Sequence, residues 1–301
     1  MEEIFKSGFV SIIGRTNVGK SSIINSLVGE KVAAIANKPQ TTRTVIRAIV
    51  NRPNSQIIFI DTPGIHKPKS KLGNVMVDNA FEVSKDVDVL VFVIEATSKE
   101  IGKGDRLILD KIKAAKRKTI LVINKIDLAS KAKVAEIIDL YKNEYDFASI
   151  IPVSTVKNIN LDVILDEIEK NLKEGPAYYN IEEYTDQTTR QLVEETIREK
   201  ALKLLEDEVP HGILVEVDKM KKRKTMENEP IYNIDATIYC LREAHKGIII
   251  GKNGSMLKKI GTYARQDLEK MLGIKINLKI WVKVKEDWIN NEKILKNFKL
   301  Q

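Results

Sequence analysis

Over the first 175 residues, short apolar runs alternate with longer mixed segments. The runs are Phe9–Ile13, Ile57–Ile60, Val87–Ile94, Thr119–Ile123 and Ile150–Val153. Runs of this length, apolar on consecutive positions and separated by stretches long enough for helices, predict a mostly parallel sheet covered by helices on both faces. A helix beginning near Leu161 is broken by Gly175-Pro176, and the acidic stretch "IEEYTD" follows. The expected division is therefore a first domain over 1–175, a linker over 176–187 and a second domain over 188–301. In the second domain, Thr188 to Val209 repeats apolar residues near the helical period and stops at Pro210. Two strand-like runs, Gly212–Val217 and Tyr232–Leu241, flank the polar stretch "KKRKTMENEP", expected as a loop. Near the end, "INLKIWVKVK" alternates: Ile276, Leu278, Ile280, Val282 and Val284 share one face, and Asn277, Lys279, Trp281, Lys283 and Lys285 the other.

Length and composition agree with two cores: 301 residues, 43% of them hydrophobic, suffice for two domains. The opening "MEEIFKSGFVSIIG" runs from acid straight into a strand, so no secretory leader is expected. Apolar runs fall short of the roughly 20 residues that span a bilayer. The single cysteine, Cys240, forms no internal disulfide, and His66, His211 and His245 are not at metal-ligand spacing. A reducing, cytoplasmic setting is the expectation. Of the net charge of +8, all comes from the end of the chain: 241–301 holds 14 basic and 6 acidic residues against 36 and 36 before it. Such a bias marks either a solvated lysine-rich tail or a footprint for a polyanion.

Two glycine loops bear on that choice. The first is Gly14-Arg15-Thr16-Asn17-Val18-Gly19-Lys20-Ser21-Ser22, preceded by a strand and followed by a helix, and it satisfies G-x-x-x-x-G-K-[ST]. Consecutive backbone N–H groups and a helix N-terminus there can surround phosphate oxygens, Lys20 can reach the β- and γ-phosphates, and the Ser21 hydroxyl can ligate Mg²⁺. Asp61-Thr62-Pro63-Gly64 follows the strand "QIIFI", which places a carboxylate beside the phosphates for a metal contact and a glycine N–H toward the γ-phosphate. Asn124-Lys125-Ile126-Asp127 follows the strand "TILVI". Guanine offers two donors, N1–H and N2–H₂, that one carboxylate at Asp127 can accept, whereas adenine would leave that carboxylate unpaired. Asn124 can bond the base and brace the loop, and the Lys125 stem can lie over the ring. The reading is GTP rather than ATP.

These motifs, in this order, resemble the Era family of GTPases, together with the run Asn37-Lys38-Pro39-Gln40-Thr41-Thr42-Arg43, "IREK" at Ile197–Lys200, and "VKVK" at Val282–Lys285. The resemblance implies that Thr42 completes the Mg²⁺ shell, with Thr41 as the neighbour that could replace it. It also implies a base-supporting loop at Ser154-Thr155-Val156-Lys157, and K⁺ assistance through Asn17. The reacting set it gives is Lys20, Asn17, Thr42 and Gly64. Where many Ras-like GTPases carry a water-orienting glutamine, this chain has Ile65 followed by His66, so intrinsic hydrolysis should be slow.

The second loop lies in "IIIGKNGSMLKKIG". Taken alone, the run Ile248–Ile250 reads as a strand. Gly251-Lys252-Asn253-Gly254 has only two residues between its glycines, too few to wrap a triphosphate, and fits the GXXG loop with which KH domains clamp about four nucleotides. The surrounding order resembles a type II KH arrangement, in which that run is helical. Lys258 and Lys259 beside the loop, and Lys279, Trp281 and Lys283 on the final strand, are the expected RNA contacts. The resemblance thus implies a monomeric GTPase whose GTP or GDP state controls KH binding of single-stranded 16S rRNA near its 3′ end, during assembly of the small ribosomal subunit. Two alternatives stay open: a membrane-associated or cell-cycle signalling GTPase whose basic tail meets anionic lipid, peripheral at the cytoplasmic face, and an RNA chaperone with a passive nucleotide-binding domain.

Overall fold

The computed structural model describes residues 4–36, 38, 41–43, 45–64, 70–83, 86–224 and 228–297. Asn37, Pro39, Gln40, Ile65 and His66 lie outside the described residues. Two compact units result, one built from 4–33 and 42–186, the other from 34–41 and 187–297.

In the first unit, β1 (Lys6–Gly14), β3 (Ser55–Asp61), β4 (Val89–Glu95), β5 (Thr119–Asn124) and β6 (Ser149–Pro152) run parallel. With β2 (Ile46–Arg52) the order is β2-β3-β1-β4-β5-β6, and β7 (Lys173–Glu174) pairs with the start of β1. Helices α1 (Lys20–Val28), α2 (Lys71–Val83), α3 (Lys103–Ala115), α4 (Lys131–Lys142) and α5 (Leu161–Asn171) connect the strands. The consecutive apolar residues of β4 explain the layers. Val89, Val91 and Val93 enter a core with Ile23 and Ile24 of α1 and Ile164 and Ile168 of α5, while Leu90, Phe92 and Ile94 enter a second with Ile108, Leu109 and Ile112 of α3. Both faces of the sheet are buried, as the unbroken apolar runs require.

One reading of this unit needs amendment. Strand β2 was not among the expected runs; it pairs antiparallel with β3 across the turn at Pro53-Asn54. The segment expected as the linker packs in part along this unit. The Ile49 N–H donates to the Tyr184 carbonyl at 2.9 Å, and the Gln56 side chain accepts from the N–H groups of Tyr178 and Tyr179 at 2.7 and 2.9 Å. The segment thereby covers the exposed edge of β2, which would otherwise present unpaired backbone groups.

The second unit holds α6 (Thr189–Leu204), β8 (Leu214–Lys224), β9 (Pro230–Cys240), α7 (Glu243–Ile250), α8 (Ser255–Leu272), β10 (Lys275–Val284) and α9 (Glu292–Asn297). A capping box between Thr188 and Gln191 starts α6. The sheet order is β10-β9-β8, with β9 and β10 parallel. Val193, Ile197 and Ala201 of α6 and Ile260, Ala264 and Leu268 of α8 recur at helical spacing and pack on Ile234, Ala236 and Ile238 of β9. Ile248–Ile250 is the last turn of α7, not a strand. The expected loop "KKRKTMENEP" is strand at its two ends, since β8 continues to Lys224 and β9 begins at Pro230.

Candidate functional site

The first glycine loop is shaped by close backbone approaches. A Cβ at Gly14 would lie 2.4 Å from the Val93 carbonyl oxygen, and one at Gly19 2.2 Å from the Asn124 side-chain nitrogen. Asn17 and Gly19 adopt left-handed conformations at φ 66° and 103°, and α1 follows with no side-chain cap and no acidic residue in its first turn. That leaves the partial positive charge of its N-terminus for an anion. Lys20 is buried, and its ammonium donates to the carbonyls of Gly14 at 3.2 Å and Arg15 at 3.1 Å. Burial lowers its pKa to about 8, partly opposed by the charge of Asp61. Phosphate oxygens would favour the charged form there. Val18 is buried, Thr16 and Ser22 are half-buried, and Asn17 is exposed at the loop.

The three proposed metal ligands converge. The Ser21 hydroxyl donates to Asp61 Oδ2 at 2.8 Å, the Thr42 hydroxyl lies 2.9 Å from Ser21 Oγ, and it reaches the same Asp61 oxygen at 3.2 Å. Asp61 is fully buried, which raises its pKa against the opposing charge of Lys20, and its Oδ1 has no hydrogen-bond partner among the described residues. An all-oxygen set with an orphaned buried carboxylate oxygen fits a small hard cation such as Mg²⁺. Thr41 differs from Thr42: its hydroxyl closes its own segment, donating to the carbonyls of Ala36 at 3.1 Å and Lys38 at 2.7 Å. The "IREK" residues hold that segment within the second unit, Glu199 accepting from the Ile35 N–H at 3.1 Å and Arg198 donating to the Thr41 carbonyl. Thr62 and Pro63 are buried, the Thr62 hydroxyl donating to the Ile12 carbonyl at 2.8 Å. Gly64 lies against the phosphate loop, where a Cβ would come within 2.8 Å of Thr16 Cα.

Around the expected base, Asn124 uses its amide to brace the loop, donating to the Val18 carbonyl at 2.9 Å and accepting from the Lys125 N–H at 2.8 Å. Thr155 donates to the Asn124 side-chain oxygen at 3.4 Å. Asp127 is exposed and its Oδ1 accepts from the buried Ser154 hydroxyl at 2.5 Å, while Ser154 Oγ accepts from the Lys157 N–H at 3.1 Å. Ser154 therefore acts on Asp127 rather than facing outward. Residues missed in the sequence complete the rim. Lys125 pairs with Glu95 at 2.8 Å, and the Arg15 side chain turns to Asp105 at 2.9 Å and Ser98 at 3.2 Å. Only the position of Glu95, at the carboxyl end of a strand, could have signalled it.

In the second unit, α7 ends at Gly251 (φ 71°), Asn253 and Gly254 follow at φ 53° and 75°, and α8 starts at Ser255. A Cβ on Gly251 would meet Met256 at 2.8 Å. Lys252, Asn253, Lys258 and Lys259 are exposed. Beside the loop runs an open groove of about 380 Å³, floored by Leu257, Gly261, Leu278 and Ile280 and flanked by Lys258 and Arg265. Because Leu278 and Ile280 face α8, the intervening Lys279, Trp281 and Lys283 project from the opposite face of the sheet and do not line this groove, whereas Lys258 does.

The family described as "50S ribosome-binding GTPase" matches residues 9–125, and the family described as "KH domain" matches residues 208–289. GTPase Era of Clostridioides difficile is 51% identical over 98% of both chains. GTPase Era of Caldanaerobacter subterraneus is 50% identical over 97% of both. Among solved structures, a variant of Aquifex aeolicus Era bound to GDP·AlF₄⁻ superposes with a TM-score of 0.93 at 39% identity, covering 98% of this chain and 99% of that one. A structure of Era in complex with MgGDPNP and nucleotides 1506–1542 of 16S ribosomal RNA gives the same TM-score, identity and coverage.

Proposed function

The chain belongs to the Era family and is a GTPase, and from that premise we propose that its GTP state controls the binding of single-stranded 16S rRNA by the KH unit in small-subunit assembly. The carrying observation is the clustering of Lys20, Ser21, Thr42 and Asp61 in the unit that also presents Asn124 and Asp127. In the reaction, water attacks the γ-phosphorus and the bond to the β-phosphate oxygen breaks, giving GDP and phosphate. The chain contributes the cationic Lys20, the α1 N-terminus and the Gly64 N–H as fixed charges around the transferring group. Mg²⁺, held by Ser21, Asp61 and Thr42, would neutralise the phosphate oxygens. Asn17, exposed and without a hydrogen-bond partner among the described residues, is a fitting ligand for K⁺.

The RNA assignment draws on the GXXG loop, and on the relative crystallised with a 16S rRNA segment. The 50S subunit in the description of the first matching family is no obstacle, since that match ends at residue 125, ahead of the KH unit. Anionic lipid is the competing partner, and a cytoplasmic setting and a monomeric state are part of the proposal. The test pairs phosphate release with filter binding. Lys20→Ala should abolish nucleotide binding, Na⁺ in place of K⁺ should slow turnover in wild type but much less in Asn17→Ala, and Asp at both Lys252 and Asn253 should remove binding of an rRNA 3′ strand. GTP bound without phosphate release would sink the enzymatic reading, and flotation with anionic vesicles without rRNA binding would sink the RNA half.

A further inference from the structure

The three-stranded sheet has its helices on one side only, and its other face carries chemistry that the GXXG groove does not use. On β10 that face presents Lys279, Trp281 and Lys283, with Trp281 46% exposed between the two lysines. On β8, beyond the irregularity at Val217/Lys219, it presents Lys219, Lys221 and Arg223, paired across β9 with Asp235, Asn233 and Ile231. None of these five cations has an ion-pair or hydrogen-bond partner among the described residues. Asp235 is the one carboxylate between the two rows, in register with both Lys219 and Lys279. Of the acids at the other end, Asp218 accepts from the Thr237 hydroxyl at 2.7 Å, and Glu216 is hydrogen-bonded to Tyr239.

We infer that this outer sheet face is a second RNA-binding surface, which takes a segment of the same strand beyond the nucleotides held at Gly251–Gly254; the inference rests on the RNA reading above. Side chains two apart on a strand face are separated by roughly 6.7 Å, a step comparable with that between successive phosphates, so Lys279 and Lys283, two such steps or about 13 Å apart, can meet alternate phosphates of one backbone. Trp281 between them offers a ring on which a base can stack regardless of its identity. Lipid is disfavoured by composition. Trp281 is the one large apolar side chain of β8–β10 that is strongly exposed among the described residues, and Asn277 and Asn233, hydrogen-bonded to each other at 2.9 Å, lie nearby. An interfacial surface needs a broader apolar face. Nothing in the groove beside α8 can substitute, because a strand confined to it meets Leu278 and Ile280, not the lysines between them.

The test uses the full chain with two RNAs from the 16S 3′ end, one of about ten nucleotides that fills the groove and one of about thirty that extends past it. Lys279→Glu with Lys283→Glu should weaken the long RNA about tenfold or more. It should lower the slope of log K against log salt by about 1.4, for two single-strand phosphate contacts, and change the short RNA less than twofold. Trp281→Ala should cost the long RNA roughly tenfold. The chain has two tryptophans, and Trp288 is buried, so quenching by the long RNA alone should vanish in Trp281→Phe. Long-RNA affinity unchanged in the variants would overturn the proposal. So would loss of binding to phosphatidylserine vesicles with RNA binding intact. Failure of the KH reading is separable, since it appears as wild type not binding the short strand, whereas failure here appears as equal wild-type affinity for the two RNAs.

Discussion

Asp127→Asn tests the base assignment most directly. Ser154 Oγ accepts from the Lys157 N–H at 3.1 Å, so its own proton points to Asp127 Oδ1 at 2.5 Å. An asparagine at 127 must satisfy that same hydroxyl with its amide oxygen. Its NH₂ is then turned outward, to the place where the guanine N1–H and N2–H₂ are expected. Two hydrogen bonds to a charged acceptor are lost, each worth about 1.5–3 kcal/mol, and a donor faces a donor. Because Asp127 is exposed, the low end applies, about 3 kcal/mol, or on the order of a hundredfold in GTP affinity. Xanthine replaces the C2 amino group by a carbonyl that the new NH₂ can serve, so XTP should bind within about tenfold of the wild-type GTP value. Titration calorimetry with GTP and XTP in Mg²⁺ measures both. The melting temperature should hardly move, since an exposed substitution that keeps the Ser154 bond costs little stability. A GTP Kd within threefold of wild type would refute the assignment of Asp127.

Ser154→Ala should weaken GTP by about one hydrogen bond, roughly five- to tenfold, without admitting XTP, because Asp127 loses its brace but keeps its charge; competition binding reads this. Gly64→Ala forces a Cβ to within 2.8 Å of Thr16 Cα, so the turn must withdraw from the phosphate loop. GDP affinity should hold within a few-fold while single-turnover hydrolysis drops by 10² or more, the scale of losing a positioned donor. Trp288→Ala removes a fully buried indole whose Nε1 donates to the Gly212 carbonyl at 2.9 Å, and should destabilise the second unit by about 3–5 kcal/mol. Hydrogen exchange should rise across β8–β10 while GTP binding persists.

What could be read in the sequence was chemistry written in contiguous residues. The loop from Gly14 to Ser21, the turn Asp61–Gly64 and the turn Asn124–Asp127 each hold their function in one short stretch at a strand's end. The buried strands were legible because burial on both faces leaves no polar positions, as in β4. Strand β2 was missed because its sequence, "IRAIVNR", mixes polar residues with apolar ones, as an edge strand with one neighbour can. The helical state of Ile248–Ile250 was ambiguous for a general reason: three apolar residues have no period, and only the packing of the unit decides. The side of the sheet on which Lys279, Trp281 and Lys283 lie was beyond the alternation rule. That rule sorts a strand into two faces but does not say which one receives the helices. The partners of Arg15 were equally hidden, since Asp105 becomes its neighbour only through the fold.

The two glycine loops divide their work by what surrounds them. Both rely on left-handed residues and on a glycine against which no side chain could fit. At the first, however, Gly14 is pressed to a neighbouring strand, Lys20 is drawn inside by two carbonyls, and Ser21 and Asp61 close the floor. The result is a concave nest of fixed positive ends, suited to a compact terminal phosphate that ends where the nest ends. At the second, Lys252 and Asn253 stand exposed, and the adjoining groove is open, with an apolar floor and cations on its flank. A small anion would gain little there, because water competes for each exposed lysine. A polymer gains at every step along the track, through phosphates on the rim and bases on the apolar floor. The first loop therefore selects a nucleotide, and the second requires a chain of them.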